Sequence, residues 1–429
     1  MRLSVVGTGY VGLVSAACFA DLGHNVIGVD RDTARIALLG QGRMPFFEAG
    51  LEELVRRGQQ AGRLRFTADI AEAVEDSQVL FITVGTPSRE DGTADLTDVS
   101  AVAESIAGAL RDYRLIVEKS TVPIRTGERI KDQIQLLTRG AVPFDVACNP
   151  EFLREGSAVY DFMHPDRIVL GVTSARSEQL LREVYAPLDA PVLVTDLATA
   201  EMVKHASNAF LALKISYINA IANVCERVGA DVRRVAEGMG YDRRIGRAFL
   251  DAGVGYGGSC FPKDVAAFVE IARDAGYPFR LLEEVARINE GQREVLLGHL
   301  KNALWVVRNR TIAVLGLAYK ANTDDVREAP AIAITGALLR EGATVRAYDP
   351  AAEANARRIL PDVTYCADPY DAARGSDAVV LLTDWEEFRA LDLPRLRDIM
   401  RRPVLIDGRN LLDPDQARAL GFHYTGIGR

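Results

Sequence analysis

Short apolar runs alternate with longer amphipathic stretches over residues 1–198 of the chain. The runs LSVVG, NVIGVD and QVLFITVGTP predict buried strands, and LVSAACFADLG, between the first two, predicts a helix. The later runs RLIVEKST, FDVACNPE and RIVLGV continue the same order of strand and helix. Strands that are apolar throughout and alternate with helices are typical of a doubly wound parallel sheet. The pattern therefore predicts an α/β domain at this end of the chain.

The pattern changes between residues 199 and 305, where a helical period takes over. Residues 199–229 contain no proline, and no glycine before Gly229, so they predict one helix about 45 Å long at ~1.5 Å per residue. Such a helix between two sheet domains suits a connector and a dimer surface, and we expect a homodimer. Further helices are predicted over residues 231–239, 262–275 and 280–304.

Runs typical of strands return over residues 306–429. TIAVLGLAYK, ATVRAYDP, DAVVLLTDW and PVLIDGRN resemble, in order, the strands of the first domain. In each half a glycine turn ends the first strand, and Asp30 or Asp349 ends the next. The second sheet domain lacks the triple glycine of the first, so we expect it to have a different function. The predicted fold class is α/β, with two Rossmann-like doubly wound domains joined by a helical middle domain with a long connecting helix.

The composition excludes several classes of protein. Hydrophobic residues make up 48% and charged residues 26% of the chain, which is typical of a globular protein and not of a disordered one. The net charge of −8, without long blocks of one sign, argues against binding to nucleic acid or a membrane surface. No leader or membrane-spanning stretch is recognisable. The five scattered cysteines argue against disulfides and a metal site, so we expect a reduced, cytoplasmic protein.

Residues 7–12 (GTGYVG) match the GxGxxG motif, directly after a strand and at the start of a helix. The glycines allow a tight turn and the close approach of a pyrophosphate. Asp30, 18 residues beyond Gly12, is placed to accept hydrogen bonds from both ribose hydroxyls and to repel a 2′-phosphate. This favours NAD over NADP, although Arg31 and Arg35 could hold the extra phosphate. NAD is therefore the predicted cofactor.

The segment 253–264 (GVGYGGSCFPKD) joins a glycine-rich loop to a helix. The loop exposes successive backbone amides, which suits an anionic or polyol ligand. Pro262 fits the first turn of the helix, which places Cys260 at the helix N-terminus beside Lys263, where the thiolate is favoured. Cys260 is therefore predicted to be a nucleophile; the alternative is an inert thiol.

Two further patterns suggest chemistry. Lys204 and Asn208 are spaced i, i+4 and share one face of the long helix, where they could stabilise an oxyanion. The alternative is a solvated lysine with a buried asparagine, and simple hydroxyacid dehydrogenases would show the same spacing. Glu151 and Glu155 lie just after a strand end, where ligands bind sheet domains. The chain lacks a YxxxK pair, which counts against a short-chain dehydrogenase or epimerase. It also lacks a P-loop and an HExxH motif.

Together these motifs resemble the UDP-glucose 6-dehydrogenase family over essentially the full length. The motifs in family order are GTGYVG, KSTVP (119–123), NPEFLREG (149–156), the helix with Lys204 and Asn208, GYGGSCFPKD (255–264), GLAYKANTDDVRE (316–328) and DGRN (407–410). The resemblance implies an NAD-binding domain over 1–198, a helical dimerisation region over 199–305 and a UDP-sugar-binding domain over 306–429.

The resemblance also implies an NAD-dependent, four-electron oxidation of UDP-glucose at C6, with two NADH per sugar. The first oxidation gives an aldehyde, to which the Cys260 thiolate adds; the thiohemiacetal is oxidised to a thioester that water hydrolyses. Lys204 and Asn208 would hold the C6 oxyanion. Asp264, Thr121 and Glu151 would position water or relay protons, and which of them is the base stays open.

Binding residues follow from the glycine motif and the resemblance. Expected cofactor contacts are Gly7, Gly9, Tyr10, Val11, Gly12, Asp30, Arg35, Thr83, Thr121, Glu155, Lys263 and Arg327. Expected substrate contacts are Glu151, Phe152, Leu153, Glu155, Lys204, Asn208, Arg244, Tyr256, Gly257, Lys320 and Arg409, with Arg244 reaching the neighbouring subunit's site. The departures from the family are Tyr256, where phenylalanine is frequent, and Arg125 and Ala329, where a glycine and a serine are common.

Three other functions stay open. A sister enzyme acting on GDP-mannose, UDP-N-acetylglucosamine or UDP-N-acetylmannosamine would share Cys260 and differ in how it recognises the sugar. A single-step hydroxyacid dehydrogenase would use Lys204 and Asn208, form one NADH per substrate and not need Cys260. A non-catalytic NAD-binding or scaffold protein would reduce no NAD with any nucleotide sugar.

Overall fold

The computed structural model describes residues 1–89 and 91–429, which fold into two compact units. The first unit comprises Met1–Ser207 with Glu270–Ala275, and the second comprises Asn208–Val269 with Gly276–Arg429. Among these described residues, no helix is both long enough and apolar enough to cross a bilayer.

The first unit is built on a sheet that has eight strands in the described part of the chain. The strands are β1 (Arg2–Val6), β2 (Asn25–Val29), β3 (Leu64–Thr67), β4 (Val79–Ile82), β5 (Arg114–Glu118), β6 (Phe144–Cys148), β7 (Ile168–Val172) and β8 (Val192–Thr195). Their order in the sheet is β3-β2-β1-β4-β5-β6-β7-β8. Central strands such as β4 are buried at every residue, as expected for a sheet that is covered on both faces.

Helices cover this sheet and share its apolar core. They are α1 (Tyr10–Asp21), α2 (Thr33–Gly40), α3 (Leu51–Gln60), α4 (Ile70–Asp76), α5 (Thr97–Ala109), α6 (Thr126–Thr138), α7 (Ala158–Met163) and α8 (Ala175–Tyr185). Phe19 of α1 is fully buried and packs against the rings of Phe81, Phe162 and Tyr185, with centroids 4.9–5.6 Å apart. This aromatic cluster fixes α1, and with it the glycine turn that precedes α1.

The long helix of the middle region forms as predicted. The helices here are α9 (Leu197–Val228), α10 (Val232–Gly240), α11 (Phe261–Asp274) and α12 (Arg280–Leu304). α9 ends before Gly229, whose φ of +74° is a backbone conformation that glycine adopts easily and that commonly terminates helices. Asp231 then caps α10 by accepting a hydrogen bond from Arg233 N–H.

The second unit holds a parallel sheet, with six strands in the described part of the chain. These are β9 (Thr311–Leu315), β10 (Thr344–Tyr348), β11 (Thr364–Tyr365), β12 (Ala378–Leu381), β13 (Val404–Asp407) and β14 (His423–Gly426), in the order β11-β10-β9-β12-β13-β14. The accompanying helices are α13 (Pro330–Arg340), α14 (Glu353–Ile359), α15 (Pro369–Ala373), α16 (Glu386–Arg389), α17 (Leu393–Ile399) and α18 (Pro414–Ala419).

The two sheets repeat one design, which confirms the predicted pair of Rossmann-like domains. Each has the order third, second, first, fourth, fifth and sixth strand. The turns after β1 and β9 use Gly7 (φ +100°) and Gly316 (φ +95°). A Cβ on Gly7 would lie 2.9 Å from the oxygen of Thr83, and one on Gly316 would lie 2.4 Å from the Cβ of Thr383. Both turns therefore require glycine for its conformation and for space.

One detail of the first sheet differs from the expected parallel arrangement. β7 runs antiparallel to β6, with Ala147 opposite Val172, and β8 then pairs with β7 in parallel. The connecting residues 149–167 hold only the six-residue α7 and stay at the carboxyl end of β6. β7 therefore enters the sheet in the opposite direction.

The carboxylates that end the second strand of each sheet have different surroundings. Asp349 Oδ2 accepts hydrogen bonds from Leu317 N–H (2.7 Å) and Ala318 N–H (3.0 Å). Its Oδ1 accepts from Ala351 N–H (2.9 Å) and Ala352 N–H (2.8 Å). Asp349 is 4% exposed. Its carboxylate therefore stabilises the second unit by joining the turn after β9 to the residues after β10.

We expect Asp349→Ala to destabilise the second unit strongly, because four backbone N–H groups lose their acceptor. Each buried donor left unsatisfied costs roughly 1–3 kcal/mol, so the loss of the acceptor for four donors should lower the free energy of unfolding by at least about 4 kcal/mol. Urea denaturation followed by circular dichroism measures the loss. Asp413→Ala is the control, because Asp413 accepts two backbone hydrogen bonds at an exposed helix start; equal losses for the two variants would contradict the prediction.

Candidate active site

The glycine motif forms an open niche at the start of α1 in the first unit. Gly9 is the N-cap residue of α1 and provides no capping side chain, so the first N–H groups of the helix point out of its end. A Cβ on Gly12 would lie 1.8 Å from Gly7 O, whereas one on Gly9 would meet no atom within 4 Å. Thr83 Oγ1 donates to the oxygens of Val6 (3.0 Å) and Gly7 (2.8 Å) and holds the turn in place.

Asp30 lies beside this niche and is held in its charged form. Its Oδ2 accepts from the N–H (2.9 Å) and the hydroxyl (2.8 Å) of Thr8, and its Oδ1 accepts from Asp32 N–H (3.0 Å). Burial opposes ionisation, but these hydrogen bonds and Arg35, 3.2 Å away, hold the pKa of Asp30 below its ordinary value. A charged carboxylate here can accept hydrogen bonds from ribose hydroxyls.

The first unit fits NAD better than NADP. The open space in front of Gly9 and the N-terminus of α1 suit a pyrophosphate. The two arginines that could hold a 2′-phosphate have carboxylate partners, since Arg31 pairs with Asp98 at 2.7 Å and Arg35 pairs with Asp30. Gly7, Gly9, Gly12 and Asp30 would therefore hold the dinucleotide.

Lys204 and Glu151 form a buried ion pair in the first unit. Lys204 Nζ donates to the backbone oxygen of Glu151 (2.7 Å) and to its Oε1 (2.8 Å), and both side chains are about 5% exposed. The remaining oxygen, Oε2, accepts from Leu153 N–H at 2.5 Å. The ring of Phe152 lies 5.5 Å from Lys204 Nζ. The pair places an ammonium group and a carboxylate side by side, the groups needed to polarise an oxygen and to accept a proton.

Tyr10, at the start of α1, is tied to the segment that holds Glu155. The Tyr10 hydroxyl contacts the carboxylate of Glu48 and accepts a hydrogen bond from Gly156 N–H (3.0 Å). Glu48 also accepts from the N–H groups of Gly156 (2.7 Å) and Ala158 (2.8 Å). Residues 149–156 are therefore fixed to the glycine motif by a buried carboxylate.

Thr121 lies in a loop, residues 119–123, that is anchored by buried polar side chains. Lys119 Nζ donates to Asn149 Oδ1 (2.9 Å), which also accepts from the hydroxyl of Tyr185 (2.5 Å). Burial lowers the pKa of Lys119 to about 8 and raises that of the neighbouring Glu118 to about 8. The Thr86 hydroxyl donates to the Thr121 oxygen at 2.8 Å. These contacts leave the 119–123 loop little freedom.

In the second unit, Asp264 contacts the side chains of two other predicted site residues. Its Oδ2 accepts from Asn208 Nδ2 (2.6 Å), and its Oδ1 lies 2.8 Å from Lys263 Nζ. Asp264 is 1% exposed and Asn208 is 7% exposed. The amide of Asn208 is thereby oriented, and a carboxylate capable of accepting a proton lies at the first turn of α11.

Cys260 differs from the other cysteines of the chain, all of which lie in described residues. It directly precedes α11, and its backbone oxygen accepts from Asp264 N–H at 2.8 Å, so the sulfur lies at the positive end of the helix dipole. Cys260 is half-buried. Burial raises the pKa of the four buried thiols, which are Cys18, Cys148, Cys225 and Cys366.

The glycine loop that leads to Cys260 packs closely against two other motifs of the second unit. A Cβ on Gly253 would lie 2.8 Å from Gly408 O, and one on Gly257 would lie 2.3 Å from Glu328 O. The backbone of Tyr256 exchanges two hydrogen bonds with the Asn289 side chain (2.8 and 3.0 Å). The loop can take this course only because glycine leaves room for the neighbouring backbone.

Arg409 joins the same three motifs through its guanidinium group. It donates to the oxygens of Leu382 (2.9 Å), Gly255 (3.0 Å) and Tyr319 (3.1 Å). Lys320 follows directly, with its Nζ 5.4 Å from the Tyr319 ring. Arg409 therefore fixes these loops relative to one another.

Two predicted arginines lie at the surface of the second unit. Arg327 pairs with Asp325 at 2.7 Å, and its backbone oxygen accepts from Gly258 N–H at 2.9 Å. The Arg244 side chain is 89% exposed and pairs with Asp242 at 2.6 Å. Nothing in its own unit fixes Arg244 beside the other predicted residues.

Sequence models of one family match nearly the whole chain. They are described as "UDP-glucose/GDP-mannose dehydrogenase family", and the NAD binding domain matches residues 1–189, the central domain 198–291 and the UDP binding domain 313–414. The chain belongs to this dehydrogenase family. The resemblance stated from the motifs and the NAD cofactor predicted from residues 7–12 and Asp30 are both confirmed.

Similar proteins of this family align over the full chain. The UDP-glucose 6-dehydrogenase TuaD of Bacillus subtilis is 49% identical over 100% of this chain and 93% of its own. The UDP-glucose 6-dehydrogenase of Rhizobium meliloti is 48% identical over 100% of both chains. The structure of a UDP-glucose dehydrogenase from Pyrobaculum islandicum matches with a TM-score of 0.94 and 42% identity, covering 100% of this chain and 97% of that one.

Sequence reasoning missed the buried polar residues that hold this dehydrogenase's motifs in place. Glu48 lies in a stretch without a recognisable pattern, so only the fold reveals its bonds to residues 156 and 158. Asn289 offered a signal, because it occupies a core position of the amphipathic helix α12 between Val285 and Gln292. A polar residue in an apolar stripe indicates a specific hydrogen bond, which Asn289 makes to Tyr256.

We expect Asp30→Ala to weaken NAD binding and to leave UDP-glucose binding unchanged, because only the dinucleotide would use this carboxylate. A hydrogen bond to a charged group contributes about 1.5–3 kcal/mol, so the Kd for NAD should rise roughly 10- to 100-fold. Titration calorimetry with each ligand separately measures both constants. Asp32→Ala, which removes the neighbouring carboxylate that caps α2, is the control; equal weakening of both ligands by Asp30→Ala would contradict the assignment.

Proposed function

We propose that the protein catalyses the NAD-dependent, four-electron oxidation of UDP-glucose at C6 to UDP-glucuronate. The names of full-length relatives at 49% and 48% identity support this substrate. The observation that carries the chemistry is the position of Cys260. It is half-buried directly before α11, whose first turn carries the Lys263–Asp264 ion pair, whereas the other four cysteines are buried.

We also propose that three regions of the chain have separate functions. Residues 1–198 bind NAD, residues 199–305 form the central helical region, and residues 306–429 bind the UDP moiety. The spans of the NAD binding, central and UDP binding models support this division. The self-contained Asp349 site agrees with it, because a carboxylate already bound by four backbone N–H groups is poorly available to a ribose.

Bound NAD would accept the hydride in each of the two oxidation steps. Lys204 and Asn208, one turn apart on α9, donate hydrogen bonds to the C6 oxygen and stabilise the negative charge that develops on it. Glu151, paired with Lys204, lowers the cost of burying that ammonium group. Asp264 accepts a hydrogen bond from Asn208 Nδ2 and so orients the amide of Asn208.

Cys260 makes the second oxidation possible. An aldehyde has no hydride to lose until a nucleophile adds to its carbonyl carbon. The Cys260 thiolate forms a carbon–sulfur bond, which gives a thiohemiacetal, and the second oxidation converts this to a thioester. Water then cleaves the carbon–sulfur bond, releases the carboxylate and returns the thiol. Glu151, Asp264 and Thr121 are the groups that position this water or accept its proton.

The remaining predicted residues hold the two ligands. Tyr10, Val11, Thr83, Glu155 and Arg35 complete the dinucleotide site, with Thr121, Lys263 and Arg327. Phe152, Leu153, Tyr256, Gly257, Lys320 and Arg409 surround the UDP-sugar. Since Cys260 must stay reduced to act, we place the protein in a reducing compartment, the cytoplasm.

We expect Cys260→Ser to abolish net turnover, with a loss on the order of 10³-fold or more, while UDP-glucose still binds. The wild-type protein should form two NADH per UDP-glucose consumed. NADH absorbance combined with chromatographic quantification of UDP-glucuronate checks both points. Cys366→Ala, which removes a buried thiol of the same unit, is the control. One NADH per sugar, or undiminished glucuronate formation by Cys260→Ser, would favour a single-step dehydrogenase instead.

We further propose that the protein is a homodimer that pairs through α9. Phe210, Tyr217, Val224 and Val228 are 60%, 49%, 52% and 70% exposed, and their spacing of seven, seven and four residues places them on one face of the helix. A continuous apolar stripe suits a second copy of the same helix. Arg244, exposed and paired only with Asp242 in the described part of its own unit, would then reach the neighbouring site.

We expect Tyr217→Glu to convert the dimer to monomers, because it places charge in the middle of the stripe. Sedimentation velocity at micromolar concentration distinguishes the two states. Trp305→Glu is the matched control, since Trp305 is 88% exposed but lies outside the stripe. If Arg244 completes the neighbouring site, the monomeric variant should also lose UDP-glucose affinity more than NAD affinity. A wild-type protein that sediments as a monomer would refute the proposal.

A further inference from the structure

The first turns of α9 bury three polar side chains within the first unit. Glu201, Lys204 and His205 are 2%, 4% and 1% exposed. Lys204 pairs with Glu151, whereas Glu201 and His205, which are four residues apart and share one face of the helix, contact a different segment. Burying polar groups is costly unless they are hydrogen-bonded. The partners of Glu201 and His205 therefore show what this face of α9 holds.

Glu201 caps a helix that is distant in sequence. Its carboxylate accepts hydrogen bonds from the N–H groups of Arg125 (2.5 Å) and Gly127 (2.8 Å), at the first turn of α6. Arg125, the N-cap residue of α6, has φ +71° and makes no side-chain capping bond. A Cβ on Gly127 would lie 3.3 Å from Glu201 Oε1. The carboxylate thus takes the place of a local cap and lies at the positive end of the α6 dipole.

His205 holds the loop that precedes α6. Its Nε2 lies 2.7 Å from the Val122 oxygen, and because a carbonyl can only accept, Nε2 carries the hydrogen. The preceding oxygen, that of Thr121, accepts from the Thr86 hydroxyl. Two successive carbonyl groups of the 119–123 loop are therefore fixed, one by Thr86 and one by His205.

We propose that Glu201 and His205 are positioning residues, which hold the 119–123 loop and the first turn of α6 on α9 so that Thr121 keeps a fixed place relative to Lys204 and Glu151. This inference rests on the proposed function, which makes Thr121, Lys204 and Glu151 part of the reaction. One rigid helix then sets the positions of two loops, because Lys204 holds Glu151 and the adjacent residue, His205, holds Val122. Catalytic groups need such fixing, since a displacement of about 1 Å can cost roughly 10²-fold in rate.

Variants that remove one hydrogen bond without changing volume greatly test the proposal. His205→Met removes the donor to Val122, and His205→Gln keeps an N–H donor near the position of Nε2. Glu201→Gln keeps one acceptor for the two N–H groups of α6 and adds a competing NH₂. Asp196→Ala is the control for helix stability, because Asp196 bonds to Thr199 N–H and hydroxyl at the exposed start of α9 and does not contact the 119–123 loop in the described structure.

The measurements are kcat and KM for UDP-glucose and NAD, calorimetric Kd for each ligand, and urea denaturation, all on the full chain. We expect His205→Met and Glu201→Gln to lower kcat roughly 10- to 100-fold with both Kd values within about twofold of wild type. His205→Gln should restore kcat to within about threefold. Asp196→Ala should lower stability but leave kcat unchanged.

A purely structural role would give a different result. Wild-type kcat in folded His205→Met or Glu201→Gln would overturn the proposal, and so would an equal loss in His205→Met and His205→Gln. If His205→Met does not fold, the kcat of folded Glu201→Gln decides the question. The wild-type assay separates this proposal from the proposed function, because a wild-type protein that reduces no NAD with UDP-glucose refutes the function itself.

Discussion

The buried ion pair between Lys204 and Glu151 is the constraint on which the first unit's candidate chemistry depends. A lysine and a glutamate that are both about 5% exposed would each be costly to bury alone, and together they are tolerated only while their geometry is kept. The pair therefore fixes the start of α9 against the segment after β6. Two other candidate groups of the first unit are placed relative to these elements: Tyr10 contacts the 149–156 segment, and the 119–123 loop is held by α9.

The two sheets show how one turn can serve two purposes. Gly7 and Gly316 adopt the same backbone conformation, and an aspartate follows in the same place of each repeat. In the first sheet, Asp30 retains a partly accessible carboxylate beside an open helix N-terminus. In the second, Asp349 is enclosed by backbone N–H groups and stabilises the fold. The second sheet lacks the triple glycine of the first, and the loops at its edge pack against the segment that leads to Cys260.

Much of the fold could be predicted because its signals are local. Apolar runs gave the strands, the absence of glycine before Gly229 gave the length of α9, and the glycine motif gave the cofactor. The direction of β7 could not be predicted, because it depends on the path of residues 149–167 and not on the pattern of β7 itself. Contacts such as Glu201 with the N-terminus of α6 join residues more than 70 positions apart, and no local pattern indicates them. Arg125 is a further example, because its φ of +71° is a backbone conformation that favours glycine, and no local pattern around an arginine predicts it.

The unequal burial of the cysteines has a practical consequence for anyone working with this chain. A mild alkylating reagent encounters one accessible sulfur, at residue 260, and four that the folded protein shields. Under native conditions the label should therefore be incorporated at residue 260 and not at the four buried cysteines. Labelling would also slow when a nucleotide sugar covers the sulfur, which would turn a single residue into a reporter of occupancy.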